Sequence, residues 1–352
     1  MNIVKQSGVK IDAIYSCVPS NIVDNEEVLR SICDEKETRN IVKATGIKKR
    51  AIVDPGTSTV DLGIHCAKKM IEDGVLNVDE IGAVLFVTFT AERLLPFNSA
   101  VIQSKLGLAN DVIAFDIDLA CSGYAYGLWI ASGIVKQTGK KVLLFDGDIQ
   151  TAYLSGEDKS TLPVMSDSTT ITLLSPEESG DEWCFSFYTD GSMADVLSIK
   201  AGGSKEPVTG DSLKKAQYED GSKRRDVDIY MDGFEVFRFV AQTVSAFLGD
   251  FIEETTNTVD EIDVFVPHQA NIYMIKQLAK KLKIPWEKTW RSGDVVGNSG
   301  SATVPVTISY NADELLQNGT SRVLISGFGG GLSASAGLIS LDGSARFKLL
   351  YR

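Results

Sequence analysis

The chain has 352 residues, 43% of them hydrophobic and 23% charged, and a formal net charge of −12. That length builds two domains, or one large duplicated one, around a sizeable core. The acidic balance disfavours a general nucleic-acid surface. Five cysteines, at 17, 33, 66, 121 and 184, are odd in number and widely spaced with no CxxC, which argues against a disulfide framework or a cysteine zinc site. Only two histidines, His65 and His268, are available, so no metal site is expected. Residues 1–10 carry no apolar signal-like core, and no apolar run approaches the ~20 residues that span a bilayer. A soluble, cytoplasmic protein without a membrane partner is expected.

In chain order, residues 9–16 read as a strand and Pro19-Ser20-Asn21 as a turn. Residues 26–43 read as one charged, exposed helix that Thr45-Gly46-Ile47 breaks. Thr57-Ser58-Thr59 caps an amphipathic helix running to about Glu72; His65 lies within it and receives no role. Residues 81–88 are continuously apolar and β-branched, as in a parallel strand buried on both faces. A helix over 99–106, a strand over 112–118, an apolar Gly/Ala-rich helix over 123–135 and strands over 141–145 and 169–174 complete this half. The alternation implies α/β layers with right-handed crossovers. The polar stretch 176–181 is the expected boundary, giving halves 1–178 and 179–352.

The second half repeats the rhythm. Residues 184–188 and 196–199 are strand-like, 205–228 form a charge-rich surface excursion, and 234–254 have helical periodicity. A buried strand over 262–266 precedes an amphipathic helix over 271–282, which carries Lys276, Lys280 and Lys283 along one face. A helix over 300–316 and a strand over 322–326 follow. Glycine-rich turns are expected at 297–301 and 327–331. Similar length and order make an ancient duplication plausible.

Three side chains stand at strand-to-helix junctions: Cys121, His268 and Asn298. Open α/β sheets gather ligands at the carboxyl ends of their strands, and acyl transfer needs a nucleophile, a base or donor, and an oxyanion site. A helix N-terminus lowers a thiol pKa by one to several units, which would make Cys121 a nucleophile. The competing readings are a small buried core cysteine, a satisfied core histidine and an αL turn asparagine. All three being inert together is improbable. The glycines at 329–331 let backbone approach a ligand. No Lys follows them, so an oxyanion donor fits better than a nucleotide loop.

Asp118-Leu119-Ala120-Cys121-Ser122-Gly123, Val266-Pro267-His268-Gln269-Ala270-Asn271, Gly297-Asn298-Ser299-Gly300-Ser301-Ala302-Thr303-Val304-Pro305 and Gly327-Phe328-Gly329-Gly330-Gly331 occur in that order. In these motifs the sequence resembles the β-ketoacyl-acyl carrier protein synthase III family of the thiolase superfamily. The resemblance implies a five-layered αβαβα thiolase fold of two pseudo-repeated halves, assembled as a homodimer. It implies a Cys121–His268–Asn298 triad. Cys121 would take an acyl group from a thioester of coenzyme A or an acyl carrier protein, its oxyanion resting on the N–H groups of Cys121 and Gly330. His268 and Asn298 would then stabilise the enolate formed as a malonyl thioester loses CO₂. No metal or redox cofactor is implied. Phe328 and Gly329 would meet substrate. Leu95, beside Leu94, would reach into the partner's acyl pocket. Arg238, Lys276, Lys280 and Lys281 would offer a landing patch for the carrier protein, a solvated helix face being the competing view. Glu92 matches by position an additional Glu of a related branch, and no role is assigned to it.

Three departures accompany the intact triad. Asn40 and Ala44 stand where housekeeping members hold the coenzyme A nucleotide with a Trp and an Arg. Tyr273 replaces the Arg that receives the carrier protein, and Ser166-Asp167-Ser168-Thr169 replaces Gly-Asp-Gly-Ala. The expectation is family chemistry with altered substrate delivery, as in a specialised member. The alternatives are acyl transfer from Cys121 to an oxygen or nitrogen acceptor without decarboxylation, and a non-catalytic partner subunit.

Overall fold

Successive residues Val84, Leu85, Phe86 and Val87 go alternately to two different apolar clusters. A strand buried on both faces can therefore be apolar throughout, while its pleat still sends neighbours in opposite directions. The structure is a computed structural model that describes residues 1–311 and 319–352. Its main strands are β1 (Val4–Gln6), β2 (Val9–Val18), β3 (Ile81–Val87), β4 (Ile113–Ile117), β5 (Lys141–Ile149), β6 (Asp167–Pro176), β7 (Trp183–Thr189), β8 (Val264–Pro267), β9 (Ser321–Gly329), β10 (Ser333–Leu341) and β11 (Arg346–Tyr351). Its main helices are α1 (Thr59–Glu72), α2 (Asn98–Leu106), α3 (Gly123–Thr138), α4 (Gly233–Phe239), α5 (Ser245–Thr255), α6 (Ile272–Lys281) and α7 (Thr303–Asn311).

Two sheets run in the orders β11-β2-β6-β5-β3-β4 and β1-β7-β10-β9-β8. The run β2-β6-β5-β3 is joined antiparallel, antiparallel, parallel. The run β7-β10-β9-β8 repeats that pattern, which is the pseudo-repeat made visible. The chain ends cross over: β1 joins the second sheet beside β7 and β11 joins the first beside β2.

Between the sheets lie α3 and α7. Tyr124, Leu128, Ala131, Val304 and Ile308 pack with Leu85, Val87 and Leu144 on one side and Val266, Val323 and Ile325 on the other. Outside the first sheet, Val60, Leu62, Met70 and Ile102 of α1 and α2 cover Val84, Phe86 and Phe145. Outside the second, α4 to α6 cover Phe265, Leu324 and Phe328. The order of layers is αβαβα, the thiolase-like fold that the motifs imply.

Local chemistry corrects several boundaries. The helix over 26–43 is two helices, Asn25–Leu29 and Glu35–Thr45, because Asp24 and Asp34 each cap a new N-terminus. Ser58 and Asp61 form the expected capping box of α1. Residues 234–254 contain a π-helical turn, Val240–Val244, between α4 and α5. The strand over 322–326 runs on to Gly329 and so absorbs the start of the glycine turn; β10 and β11 were not anticipated. The helix expected over 300–316 begins as a 3₁₀ turn, Gly300–Ala302, and continues as α7. Its last five expected positions, 312–316, lie outside the described residues.

Candidate active site

Cys121 lies between the end of β4 and the start of α3, and glycines decide its position. A Cβ at Gly123 would come within 2.3 Å of Val87, so the helix rests directly on β3. Across the site, a Cβ at Gly327 would fall 2.5 Å from the Cys121 carbonyl oxygen. At Gly329 it would fall 2.8 Å from Cys121 Cβ and 2.9 Å from Sγ. Strand β9 thus closes over the cysteine in a notch that only glycine leaves open. Burial pushes the Cys121 thiol up to about 12, with the nearby Asp148 carboxylate adding to it and the residue's own backbone N–H opposing. The expected lowering at a helix N-terminus is therefore corrected: desolvation of the thiolate outweighs the helix end here.

His268 follows β8, and its N–H donates to the Ser326 carbonyl at 2.7 Å, one step beyond the β8–β9 ladder. Its Nδ1 meets the Thr303 hydroxyl at 2.7 Å. Its ring stands edge-on to Phe328, 5.3 Å between centroids. Burial lowers its pKa to about 3, partly offset by a bond to the Gly300 backbone, so the imidazole is neutral at neutral pH.

Asn298 is fixed by its backbone. Its N–H donates to Val164 O at 3.0 Å, and its carbonyl accepts from Ser166 N–H and from Gln150 Nε2, each at 2.7 Å. Its side-chain Oδ1 accepts from the Gly300 N–H at 3.0 Å. The amide oxygen being committed, Nδ2 is the group the side chain has left to donate. Gly300, at φ 68°, turns the chain where a Cβ would lie 2.4 Å from Asp148 Oδ2. Asp148 is itself held by Thr88, the Phe89 N–H and Thr90, each at 3.0 Å, and by Ser301 at 3.3 Å. Burial pushes Asp148 up to about 7 and raises its buried neighbour Asp146 well above the usual carboxylate range.

Short links connect the three residues. Phe328 touches His268 and the next residue in β9, Gly329, touches Cys121. Thr303 Oγ1 lies 2.7 Å from His268 Nδ1 and 2.9 Å from Gly300 O, with one proton to give to either, while the Gly300 N–H binds Asn298. Cys121 and Gly330 line one cavity of about 660 Å³, whose wall includes Phe89, Met165, Leu197 and Ile199. Gln150 and Tyr153 also line it. The sequence reading missed both, together with Asp148, because their signal is a position in space and no local motif marks them; Thr303 stands in the 297–305 motif but receives no role from it.

Phe328 is buried in the cluster outside the second sheet and stands edge-on to the His268 ring; like His268 and Asn298, it is not among the residues that line this cavity. Gly329 bears on Cys121 itself. Leu95 is 80% exposed and does not line this chain's own cavity, nor do the exposed Leu94 and Phe97. Glu92 is half-buried and does not line it either. Lys276 and Lys280 are exposed on α6, whereas Arg238 is ion-paired with Glu235. Lys280 and Lys281 flank a groove of about 400 Å³ beside Phe237 and Tyr273, whose rings stack 6.1 Å apart. Among the described residues no group of three or more His, Cys, Asp or Glu is arranged to hold a metal.

Comparison with known proteins bears on this site. The family model for 3-oxoacyl-[acyl-carrier-protein] synthase III matches residues 115–191, and the model for its C-terminal part matches 252–341. A β-ketoacyl-[acyl-carrier-protein] synthase III of Natranaerobius thermophilus is 31% identical over 95% of this chain and 99% of its own length. The solved 3-oxoacyl-(acyl-carrier protein) synthase from Burkholderia xenovorans superposes with a TM-score of 0.92 at 28% identity, covering 100% of this chain and 99% of that one. The priming β-ketosynthase of the R1128 polyketide pathway does so with a TM-score of 0.80 at 25% identity, covering 97% and 98%.

Proposed function

The chain belongs to the β-ketoacyl-[acyl-carrier-protein] synthase III family, and from that premise we propose that Cys121, His268 and Asn298 carry out a decarboxylative Claisen condensation. The Cys121 sulfur adds to the carbonyl of an acyl thioester, whose oxygen is held by the N–H groups of Cys121 and Gly330. The C–S bond to coenzyme A or a carrier pantetheine breaks, and that thiol leaves with the cysteine proton. A malonyl thioester then binds. Its carboxylate bond breaks, CO₂ departs, and the electron pair moves onto the thioester oxygen as an enolate. The enolate carbon attacks the acyl-Cys121 carbonyl, and the sulfur leaves and regains a proton. The thioester is its own electron sink, so the reaction calls for no resident metal or redox group.

The observation that carries this reading is the pairing of a neutral imidazole with a carboxamide whose oxygen is already committed. In the tautomer that keeps its proton on Nε2, His268 accepts the Thr303 hydroxyl proton at Nδ1, and Nε2–H and Asn298 Nδ2–H become two donors for one enolate oxygen. Each such donor stabilises the transition state by about 3–4 kcal/mol.

Delivery is read from the departures. Tyr273, stacked on Phe237, gives the groove an aromatic face where relatives use a cation, leaving Lys276 and Lys280 as the exposed charges that an acidic carrier would meet. Arg238 is already neutralised by Glu235. A homodimer would form along β4, an edge strand with Ile113 and Phe115 exposed. Asp116 of that strand accepts from the N–H groups of Asn98 and Ser99, which ties the exposed Leu94–Leu95 segment to the same edge and would aim Leu95 at the partner. Among the described residues no helix is long and apolar enough to cross a membrane; cytoplasmic action is part of the proposal.

Intact-mass measurement with a panel of acyl thioesters tests the first step, and malonyl-dependent CO₂ release tests the second. An adduct on Cys121 followed by CO₂ release is expected, with Cys121→Ala as control. An adduct without CO₂ release would point to transfer onto an oxygen or nitrogen acceptor. No adduct with any thioester would overturn the reading.

A further inference from the structure

Gln150 is 2% exposed, yet it forms part of the cavity wall with Cys121. Its Nε2 donates to two carbonyl oxygens, Asn298 O at 2.7 Å and Ser166 O at 3.3 Å. Both partners can only accept, so the amide nitrogen faces them and the oxygen is turned the other way by the trigonal geometry of the group. That Oε1 takes no hydrogen bond from any described residue. Gln150 also opens the single 3₁₀ turn Gln150–Tyr153, and in a 3₁₀ turn residues three apart eclipse. Tyr153 therefore stands over Gln150 on the same side, and it too lines the cavity, its hydroxyl without a hydrogen-bond partner among the described residues. The rest of the wall is largely apolar, with Phe89, Leu119, Met165, Leu197, Ile199 and Ile229, and adds the side chains of Asp118 and Ser198.

A largely apolar wall in which an unengaged amide oxygen and a free hydroxyl stand side by side suits a chain that is mostly hydrocarbon and bears a hydroxyl at that point. A ligand hydroxyl that donates to this unengaged amide oxygen gains a hydrogen bond that its plain counterpart cannot make. We propose that the acyl group loaded on Cys121 carries a hydroxyl, which donates to Gln150 Oε1 and accepts from the Tyr153 hydroxyl. This rests on the Cys121 acylation proposed above and names the substrate class that it selects.

The test uses the full-length protein and only the acylation half-reaction, since Gln150 also braces the Asn298 backbone and would disturb decarboxylation for that reason alone. Rates of Cys121 acylation are compared by intact mass for hexanoyl-CoA and its 3-, 4- and 5-hydroxy derivatives. At least one hydroxy isomer should acylate about tenfold faster than hexanoyl-CoA, since sites that hydrogen-bond a substrate hydroxyl discriminate strongly against analogues lacking it. Gln150→Leu should abolish that ratio, and Tyr153→Phe should reduce it. Faster acylation by hexanoyl-CoA than by every hydroxy isomer, or a preference that survives Gln150→Leu, would overturn the proposal. If Gln150→Leu does not fold, the wild-type ratio and Tyr153→Phe decide. Failure of all four thioesters to acylate Cys121 would instead overturn the function on which this rests, so the two failures are separable.

Discussion

The two walls of the candidate active site are built by different means. Cys121 is placed by exclusion: Gly123, Gly327 and Gly329 have no side chains, and the space a Cβ would fill belongs to Val87, to the Cys121 carbonyl and to its sulfur. His268 and Asn298 are placed by hydrogen bonds, through Ser326, Thr303, Gly300, Val164, Ser166 and Gln150. Steric placement fails at the first added methyl. Hydrogen-bonded placement fails when a donor or acceptor is lost and survives changes that keep the polar atom.

The sharpest way to break the contrast is Gly329→Ala. Its Cβ would stand 2.8 Å from Cys121 Cβ, and a displacement of even ~1 Å at a reacting atom costs about 10²-fold. Acylation of Cys121 should fall by that order in a thiol-reactivity and intact-mass assay, and a rate within threefold of wild type would show that the notch is loose. On the other wall, Thr303→Val keeps the shape and removes the partner of His268 Nδ1. Malonyl-dependent CO₂ release should drop about tenfold, the worth of roughly one hydrogen bond, while Thr303→Ser retains it. Equal rates in the Val and Ser variants would remove Thr303 from the account.

A smaller effect lies in electrostatics. Asp148 raises the Cys121 thiol pKa after burial has done so, so Asp148→Asn takes away a negative charge that disfavours the thiolate. The pH midpoint of iodoacetamide alkylation should move down by about one unit; an upward move would contradict the sign. Smallest of all, Lys280→Ala should raise KM for a carrier-bound substrate by only a few-fold, because exposed ion pairs contribute little. Unchanged KM values for both carrier-bound and coenzyme A substrates would take the α6 lysines out of the docking surface.

The sequence made the strand ends legible because they are marked locally. An unbroken apolar run such as 81–87 identifies a doubly buried strand, and a Cys, His or Asn just beyond such a run falls at the ligand-binding edge of a sheet. What it hid depends on tertiary packing. Phe328 lies in a motif with Gly329 and Gly330, yet the pleat of β9 turns it away from Cys121, which Gly327 and Gly329 face, and against the His268 ring. The thiol shift went unforeseen because a helix N-terminus is visible in sequence and desolvation is not. Gln150 and Tyr153 have no motif at all, and only the folded chain puts them beside Cys121. The split of 26–43 into two helices was readable in principle from Asp24 and Asp34 as caps.

The division of labour is tested most directly by measuring both half-reactions in Asn298→Ala. The account predicts that Cys121 acylation stays within a few-fold of wild type. CO₂ release from the malonyl thioester should fall by about 10²–10³, the usual effect of removing one oxyanion donor. Equal loss of both half-reactions, or loss of acylation alone, would contradict it.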